Sequence, residues 1–227
     1  MLFDKHILPT ESFPISVISV GNITVGGTGK TPHTEYLVSI LKKKFNVAVL
    51  SRGYKRKTVG YIYANATASA QTIGDEPFQI YQKHPDIVVA VDANRRNGIK
   101  QILLSHPQTD VVLLDDAFQH RYVEANQTIL LVDYNRPITE DNMLPYGNLR
   151  ESIDGIKRAD IILITKCPPN LTPIEARNIH KSLNLLAYQN IFYTSFAYGD
   201  VKSVFISNQI VTTSIIQEQQ FGVLLVT

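Results

Sequence analysis

Two short runs carry side chains whose types and spacing fit phosphate chemistry. In the first, Gly26-Gly27-Thr28-Gly29 is closed by Lys30-Thr31; in the second, Val111-Val112-Leu113-Leu114 is closed by Asp115-Asp116. Glycines let successive backbone N–H groups curl around anionic oxygens, a lysine reaches the β- and γ-phosphates, and a threonine hydroxyl can hold Mg²⁺. Adjacent carboxylates at the end of a buried apolar strand are costly without a cation, and a Walker-B-type strand places its terminal Asp in the metal shell. The candidates are therefore Gly26, Gly27, Thr28, Gly29, Lys30 and Thr31 for nucleotide phosphates, with Thr31 and Asp115 for the metal. The strict loop pattern wants glycine five residues before Gly29, where Thr24 stands. A Gly-rich turn that merely precedes a helix is the plain alternative, but strand, loop, Lys-Thr and helix occur in the order that phosphate binding requires.

The elements that must position these groups are legible around them. Val17 to Val20 has the composition of a buried parallel strand, and Leu37, Ile40 and Leu41 recur at helical spacing after the loop. Val47 to Leu50 reads as a second strand, Val59 to Ala64 as a short third and Ile87 to Val91 as a fourth; Val111 to Asp115, Ile129 to Asp133 and Ile161 to Lys166 follow. Ligands of open parallel sheets lie beyond the carboxyl ends of the strands, so the basic segment Arg52 to Lys57 falls on the functional edge, and Arg52 is a ligand candidate unless that loop is simply solvated. Asp75 opens a helical segment. On spacing alone it is a natural N-cap with Pro77 in the first turn. Gln119-His120-Arg121 adds polar groups after the acid pair, and Lys166 falls where such folds often meet the base, or is a solvated strand end. Pro173 to Leu183 reads as an amphipathic helix. From Ile191 the texture changes, and Ile191 to Ala197, Val204 to Ser207 and Ile210 to Ser214 read as antiparallel strands. Phe221 to Thr227 reads as a strand that normally feeds another loop and helix, so a truncated chain is expected. The expected organisation is a P-loop α/β core over residues 1–190, a mostly parallel sheet flanked by helices, with linker strands and the start of a truncated second lobe over 191–227.

Composition narrows the class. With 44% apolar and 19% charged residues the 227-residue chain is globular, and a net charge of +2 does not argue for nucleic acid. The single cysteine, Cys167, cannot form an internal disulfide and suits a reducing compartment. No apolar run approaches the ~18–20 residues that span a bilayer, and a soluble or peripheral protein is expected.

Taken together, VGNITVGGTGKTP, LSRGY, GDEP, DDAFQH, LPYGNLRE and ITKCP resemble the tetraacyldisaccharide 4'-kinases, in motif order from Leu2 to Lys166. The non-standard loop with Thr24 is that family's own form. The resemblance implies an enzyme of lipid A biosynthesis that uses ATP and Mg²⁺ to phosphorylate the 4'-hydroxyl of a tetraacylated glucosamine disaccharide 1-phosphate. It implies that Lys30 and Thr31 bind the phosphates and Mg²⁺, that Asp115, Asp116 and Glu151 form the metal and phosphate environment, and that Lys30 and Asp116 act in catalysis. Asp75 is similar to the carboxylate that acts with a histidine on the sugar hydroxyl, while Glu76, Gln119, His120 and Arg150 match positions lining the site. That histidine lies in an Asp-His-His-type motif expected past Thr227, and the family's membrane-seeking N-terminal helix is represented only by its tail. The expected setting is cytoplasmic, peripheral at the inner face of the inner membrane, with a lipid substrate and neither nucleic acid nor an obligate protein partner. A ParA/MinD-like ATPase switch is the rival reading; its signature lysine would fall near Val25.

Overall fold

The computed structural model describes residue 3 and residues 8–197, 201–202 and 210–211. Eight strands, β1 (Ser16–Gly21), β2 (Val47–Ser51), β3 (Ile62–Tyr63), β4 (Val88–Val91), β5 (Val111–Asp115), β6 (Gln127–Asp133), β7 (Ile161–Thr165) and β8 (Asn190–Tyr193), form one sheet in the order β3-β4-β2-β5-β1-β6-β7-β8. All pair in parallel except β3, which runs antiparallel on the edge. The helices are α1 (Lys30–Leu41), α2 (Ala70–Ile73), α3 (Asp75–Lys83), α4 (Arg95–Ser105) and α5 (Pro173–Leu183), with a 3₁₀ segment at Ile153–Arg158.

The aliphatic runs are continuous because both faces of the sheet are covered. Val47 and Val49 pack with Val38 of α1, Ile73 of α2 and Ile80 of α3. Ala48 and Leu50, pointing the other way, pack with Ile99 and Ile102 of α4. Further along the sheet, Leu130, Val132, Ile162 and Ile164 join Ile23, Phe118 and Leu183 of α5. In α5 the expected bounds hold: Thr172 accepts from the Glu175 amide while the Glu175 carboxylate accepts from the Thr172 amide, a closed capping box.

Three local expectations are corrected. The strand expected over Val59 to Ala64 shortens to Ile62–Tyr63, which pair in register with Val91 and Ala90 of β4, while the Ala64 amide adds one bond to Val89 O at 2.8 Å. Asp75 is not an N-cap: Gly74 occupies that position and Asp75 is the first helical residue. Ile191 to Ala197 is not an antiparallel segment, since Asn190–Tyr193 pairs in parallel with β7, as the α5 crossover dictates. Two compact units are distinguished, Met1–Ser195 and Phe196–Thr227. In the second, Val201–Lys202 pairs antiparallel with Ile210–Val211. The strands expected at Val204 to Ser207 and Phe221 to Thr227 lie outside the described residues.

β1 must end in glycine. A Cβ on Gly21 would sit 2.8 Å from both Cβ and backbone N of Phe118, on the segment leaving β5. Gly21→Ala is expected to cost about 1–3 kcal/mol of stability by overpacking, seen as a fall of several degrees in the thermal midpoint; an unchanged midpoint would show that the two segments can separate freely.

Candidate active site

The phosphate loop leaves β1 and returns into α1 in a shape set by a few contacts. Gly26 and Gly29 have φ of 95° and 83°, left-handed conformations that a side chain would strain. Asn22 Nδ2 donates to Thr28 Oγ1 at 2.9 Å across the base of the loop. The leading limb is held from outside: the Arg150 amide donates to Ile23 O at 2.7 Å and the Val25 amide to Asn148 O at 2.8 Å. That pairing delivers Arg150 and Glu151 to the loop although they lie more than a hundred residues away in sequence. Gly29 caps α1 with no side-chain cap bond, so the helix begins at Lys30 with its partial positive charge facing the loop.

The acids arrive by sheet register, with Val20 of β1 level with Asp115 of β5. Asp115 is 1% exposed; its Oδ1 accepts from Thr34 Oγ1 at 3.0 Å, and its Oδ2 is buried without a partner. Burial first, then the charges of Glu76 and Asp116, push its carboxyl up to about 6, against the pull of Thr34 and Lys30. Asp116, in a left-handed turn with φ 47°, places Oδ1 3.5 Å from Lys30 Nζ and 3.4 Å from Arg150 NH1. Partly exposed pairs of this kind contribute about 0–1 kcal/mol to stability, so their arrangement matters for charge placement rather than for folding. Gln119 Nε2 donates to Asn22 O at 2.7 Å and to Glu151 Oε1 at 2.9 Å, and Arg158 meets Glu151 Oε2 at 2.8 Å.

These residues fit a hard divalent cation. An orphaned buried carboxylate oxygen with a raised pKa, beside a second acid and at the foot of α1, is a site short of positive charge. Among the described residues there is no cage of three or more His, Cys, Asp or Glu side chains. Mg²⁺ does not need one, because it is held by one or two carboxylates together with substrate phosphates and water.

Not every expected residue converges equally. Lys30, Asp116 and Arg150 share one contact, and Gln119 and Glu151 share another. Glu76 is close enough for its charge to be felt at Asp115, while its neighbour Asp75 stands exposed at the start of α3. Arg52 is exposed; with Arg95 and Arg96 it acts on His120, where burial first and these cations second push the imidazole down to about 4. His120 is therefore neutral at physiological pH, and its Nε2 is buried without a partner. Lys166 Nζ donates to Gly27 O at 2.6 Å and to Asp133 Oδ2 at 2.8 Å.

Asn22, Thr34, Arg95, Asp133 and Arg136 also belong to the site, and motif reading missed them. Thr34 follows Thr31 by one helical turn, which is the signal that could have found it. Arg95 is 2% exposed and donates to the Asp92 and Asp115 carbonyls, joining the ends of β4 and β5. Burial lowers its guanidinium to about 10, with Asp115 acting in the opposite sense. The pair Arg95-Arg96 was visible in the sequence, but which of the two turns inward depends on how α4 packs.

The family described as Tetraacyldisaccharide-1-P 4'-kinase (LpxK) matches residues 1–217. The tetraacyldisaccharide 4'-kinase of Phocaeicola vulgatus is 52% identical across 100% of this chain and 62% of its own length. That of Bacteroides fragilis strain YCH46 is 53% identical over 90% of this chain and 54% of its own. The chain thus spans between about half and two thirds of these relatives' length. Among solved structures, the "apo" form of LpxK from Aquifex aeolicus in complex with ATP superposes with a TM-score of 0.70 at 34% identity, over 85% of this chain and 57% of that one. The ParA/MinD-like reading is not favoured. On the match over residues 1–217, the chain belongs to the tetraacyldisaccharide-1-P 4'-kinase family.

Proposed function

We propose that this chain is the nucleotide-binding part of a kinase that transfers the γ-phosphoryl group of ATP to the 4'-hydroxyl of a tetraacylated glucosamine disaccharide 1-phosphate, a step of lipid A biosynthesis. The carrying observation is that the family match falls on a phosphate loop, an acid pair and the Arg150-Glu151 dipeptide, all gathered at one sheet edge. Phosphoryl transfer demands mainly positioning and charge neutralisation. The amides of Gly26, Gly27, Thr28 and Gly29 and the start of α1 receive phosphate oxygens, and Lys30 and Arg150, both on Asp116, bring two cations to the charge that develops in transfer. Thr31 and Asp115 would hold Mg²⁺, with Glu151 nearby, and the ion supplies neutralisation of phosphate charge. Gln119 and Arg158 fix the Glu151 carboxylate, while His120, Arg52 and Glu76 line the edge. The test is transfer of labelled phosphate from ATP to the disaccharide lipid by the full-length protein; no transfer under conditions where ATP binds would overturn the reading.

Asp75 is assigned to the acceptor hydroxyl. It is exposed at the start of α3 and makes no side-chain cap there, which removes the capping explanation. Asp75→Asn is expected to lower kcat by 10²–10⁴, the usual range for general-base assistance, with ATP affinity and thermal midpoint as in the wild type. A stability loss with unchanged kcat would reassign the residue to the fold.

An acylated substrate places the enzyme at a membrane surface, and we assign it a peripheral position at the cytoplasmic face of the inner membrane. No helix among the described residues is long and apolar enough to cross a bilayer. In this reading residues 1–190 form the kinase core, and residues 191–227 lead from β8 into a second lobe that carries the histidine partner of Asp75.

A further inference from the structure

Asp133 ends β6, on the opposite side of the phosphate-loop strand from Asp115, and no nucleotide motif includes it. It is 4% exposed, yet two cations converge on one of its oxygens. Lys166 Nζ is 2.8 Å from Oδ2 and Arg136 Nε is 3.5 Å from it, while Oδ1 accepts the Asn135 amide at 3.0 Å. Burial alone would raise this carboxyl, but the Lys166 hydrogen bond and the Asn135 amide hold it below its usual range.

Each of the two cations also grips the phosphate loop. Lys166 donates to Gly27 O at 2.6 Å, and Arg136 NH1 donates to Val25 O at 3.3 Å. A third donor from the same edge, Thr165 Oγ1, reaches Thr28 O at 2.9 Å. The register Asp133↔Thr165 between β6 and β7 brings these groups level. Lys166 holds a left-handed φ of 59°, which L side chains rarely adopt and which persists only where the surroundings enforce it. Arg136 lies so close that a Cβ on Gly26 would come within 3.1 Å of its NH1.

The peptide plane sets the consequence. In a trans peptide the C=O of one residue and the N–H of the next point in opposite directions. Holding the carbonyls of Val25 and Thr28 against the β6–β7 edge therefore turns the amides of Gly26 and Gly29 away from it, toward the side where a phosphate would be received. An ungripped glycine-rich loop would have to be ordered by the nucleotide itself, at a cost in affinity.

We infer that Asp133 is a positioning residue for the phosphate loop: with Lys166 and Arg136 it forms a clamp that pre-orders the loop amides before nucleotide binds. Lys166 acts through the loop and not on the base. This inference rests on the phosphate-loop reading above but not on the identity of the acceptor.

The test uses the full-length protein and Asp133→Asn, Lys166→Ala, Arg136→Ala and the double variant Asp133→Asn/Lys166→Ala. Titration with Mg-ATP and with inorganic tripolyphosphate is expected to show a 10- to 100-fold weaker affinity for Asp133→Asn and Lys166→Ala, and a 3- to 10-fold weaker one for Arg136→Ala. The two probes should change alike, because the defect lies in phosphate binding. The double variant should be no worse than the weaker single, as expected for residues acting as one unit. In nucleotide-free protein, amide hydrogen exchange of Gly26 to Gly29 should quicken in each variant while exchange in α4 and α5 stays as in the wild type. Arg136 is on the surface side of the network, so its variant reads the clamp even if Asp133→Asn does not fold. Wild-type affinity and loop exchange in folded Arg136→Ala and Lys166→Ala would overturn the clamp, as would losses that add in the double variant. A wild-type protein that binds neither probe would instead overturn the phosphate-loop reading itself.

Discussion

Asp115→Asn is expected to remove ATP-dependent transfer from the full-length enzyme and, in the same variant, to make the metal-free protein more stable at pH 7–8. Both outcomes follow from one carboxylate that is buried, hydrogen-bonded on one oxygen and orphaned on the other. Its pKa rises from 3.8 to about 6 through burial first and the charges of Glu76 and Asp116 second. A carboxyl raised in the folded state binds its proton more tightly there than in the unfolded chain, so stability falls as pH rises from about 4 to about 6 and the full cost is present above that window. A shift of this size corresponds to on the order of 2–3 kcal/mol. Asparagine keeps an acceptor for Thr34 without the charge. Thermal melts in a chelator at pH 8 should therefore place the variant several degrees above the wild type, with the gap closing as pH falls toward 4. Adding Mg-ATP should raise the wild-type midpoint far more than that of the variant. A variant less stable than the wild type at pH 8 without metal would show that the acid is locally compensated and is no cation site.

Lys30→Ala is expected to lower kcat/KM for ATP by about 10²–10⁴, the loss typical when a preorganised charge contact is removed from a transition state. The side chain is 12% exposed and its ammonium faces Asp116 at 3.5 Å. Arg150, on the same Asp116 oxygen at 3.4 Å, approaches from the segment paired with the loop and cannot substitute at the start of α1. Folding should be barely affected, because the pair is partly exposed and such pairs contribute little. Equal melting curves with a collapsed rate are the expected signature, measured with labelled ATP at saturating lipid. Activity within a few-fold of the wild type would place the phosphates elsewhere.

Those two residues were legible without coordinates because their meaning is local. A lysine after Gly-x-Gly at the mouth of a helix, and an acid closing four aliphatic residues, carry their structural context in the neighbouring sequence. The strands were legible for a similar reason: a sheet buried on both faces needs largely aliphatic runs, and β2, β5, β6 and β7 each carry four or more such residues together while β1 is broken only by Ser19. The direction of the Ile191 to Ala197 segment differs from the expected one because alternation marks a half-buried strand in either direction. The sheet's exposed edge at β8 alternates although it is parallel, and direction is decided by the crossover through α5.

What sequence alone determined, then, was the order of elements, the phosphate loop, the acid pair and, through their combination, the family. Tertiary structure decided which distant groups serve them. Arg150 and Glu151 reach the loop through backbone pairing with Ile23 and Val25, Arg95 rather than Arg96 turns inward under the acids, and Asp133 meets Lys166 only because β6 and β7 are in register. The physical reason is separation along the chain. A hydrogen bond between residues twenty to more than a hundred positions apart leaves no periodicity and no local composition; it exists only once strand order and register have brought its ends together.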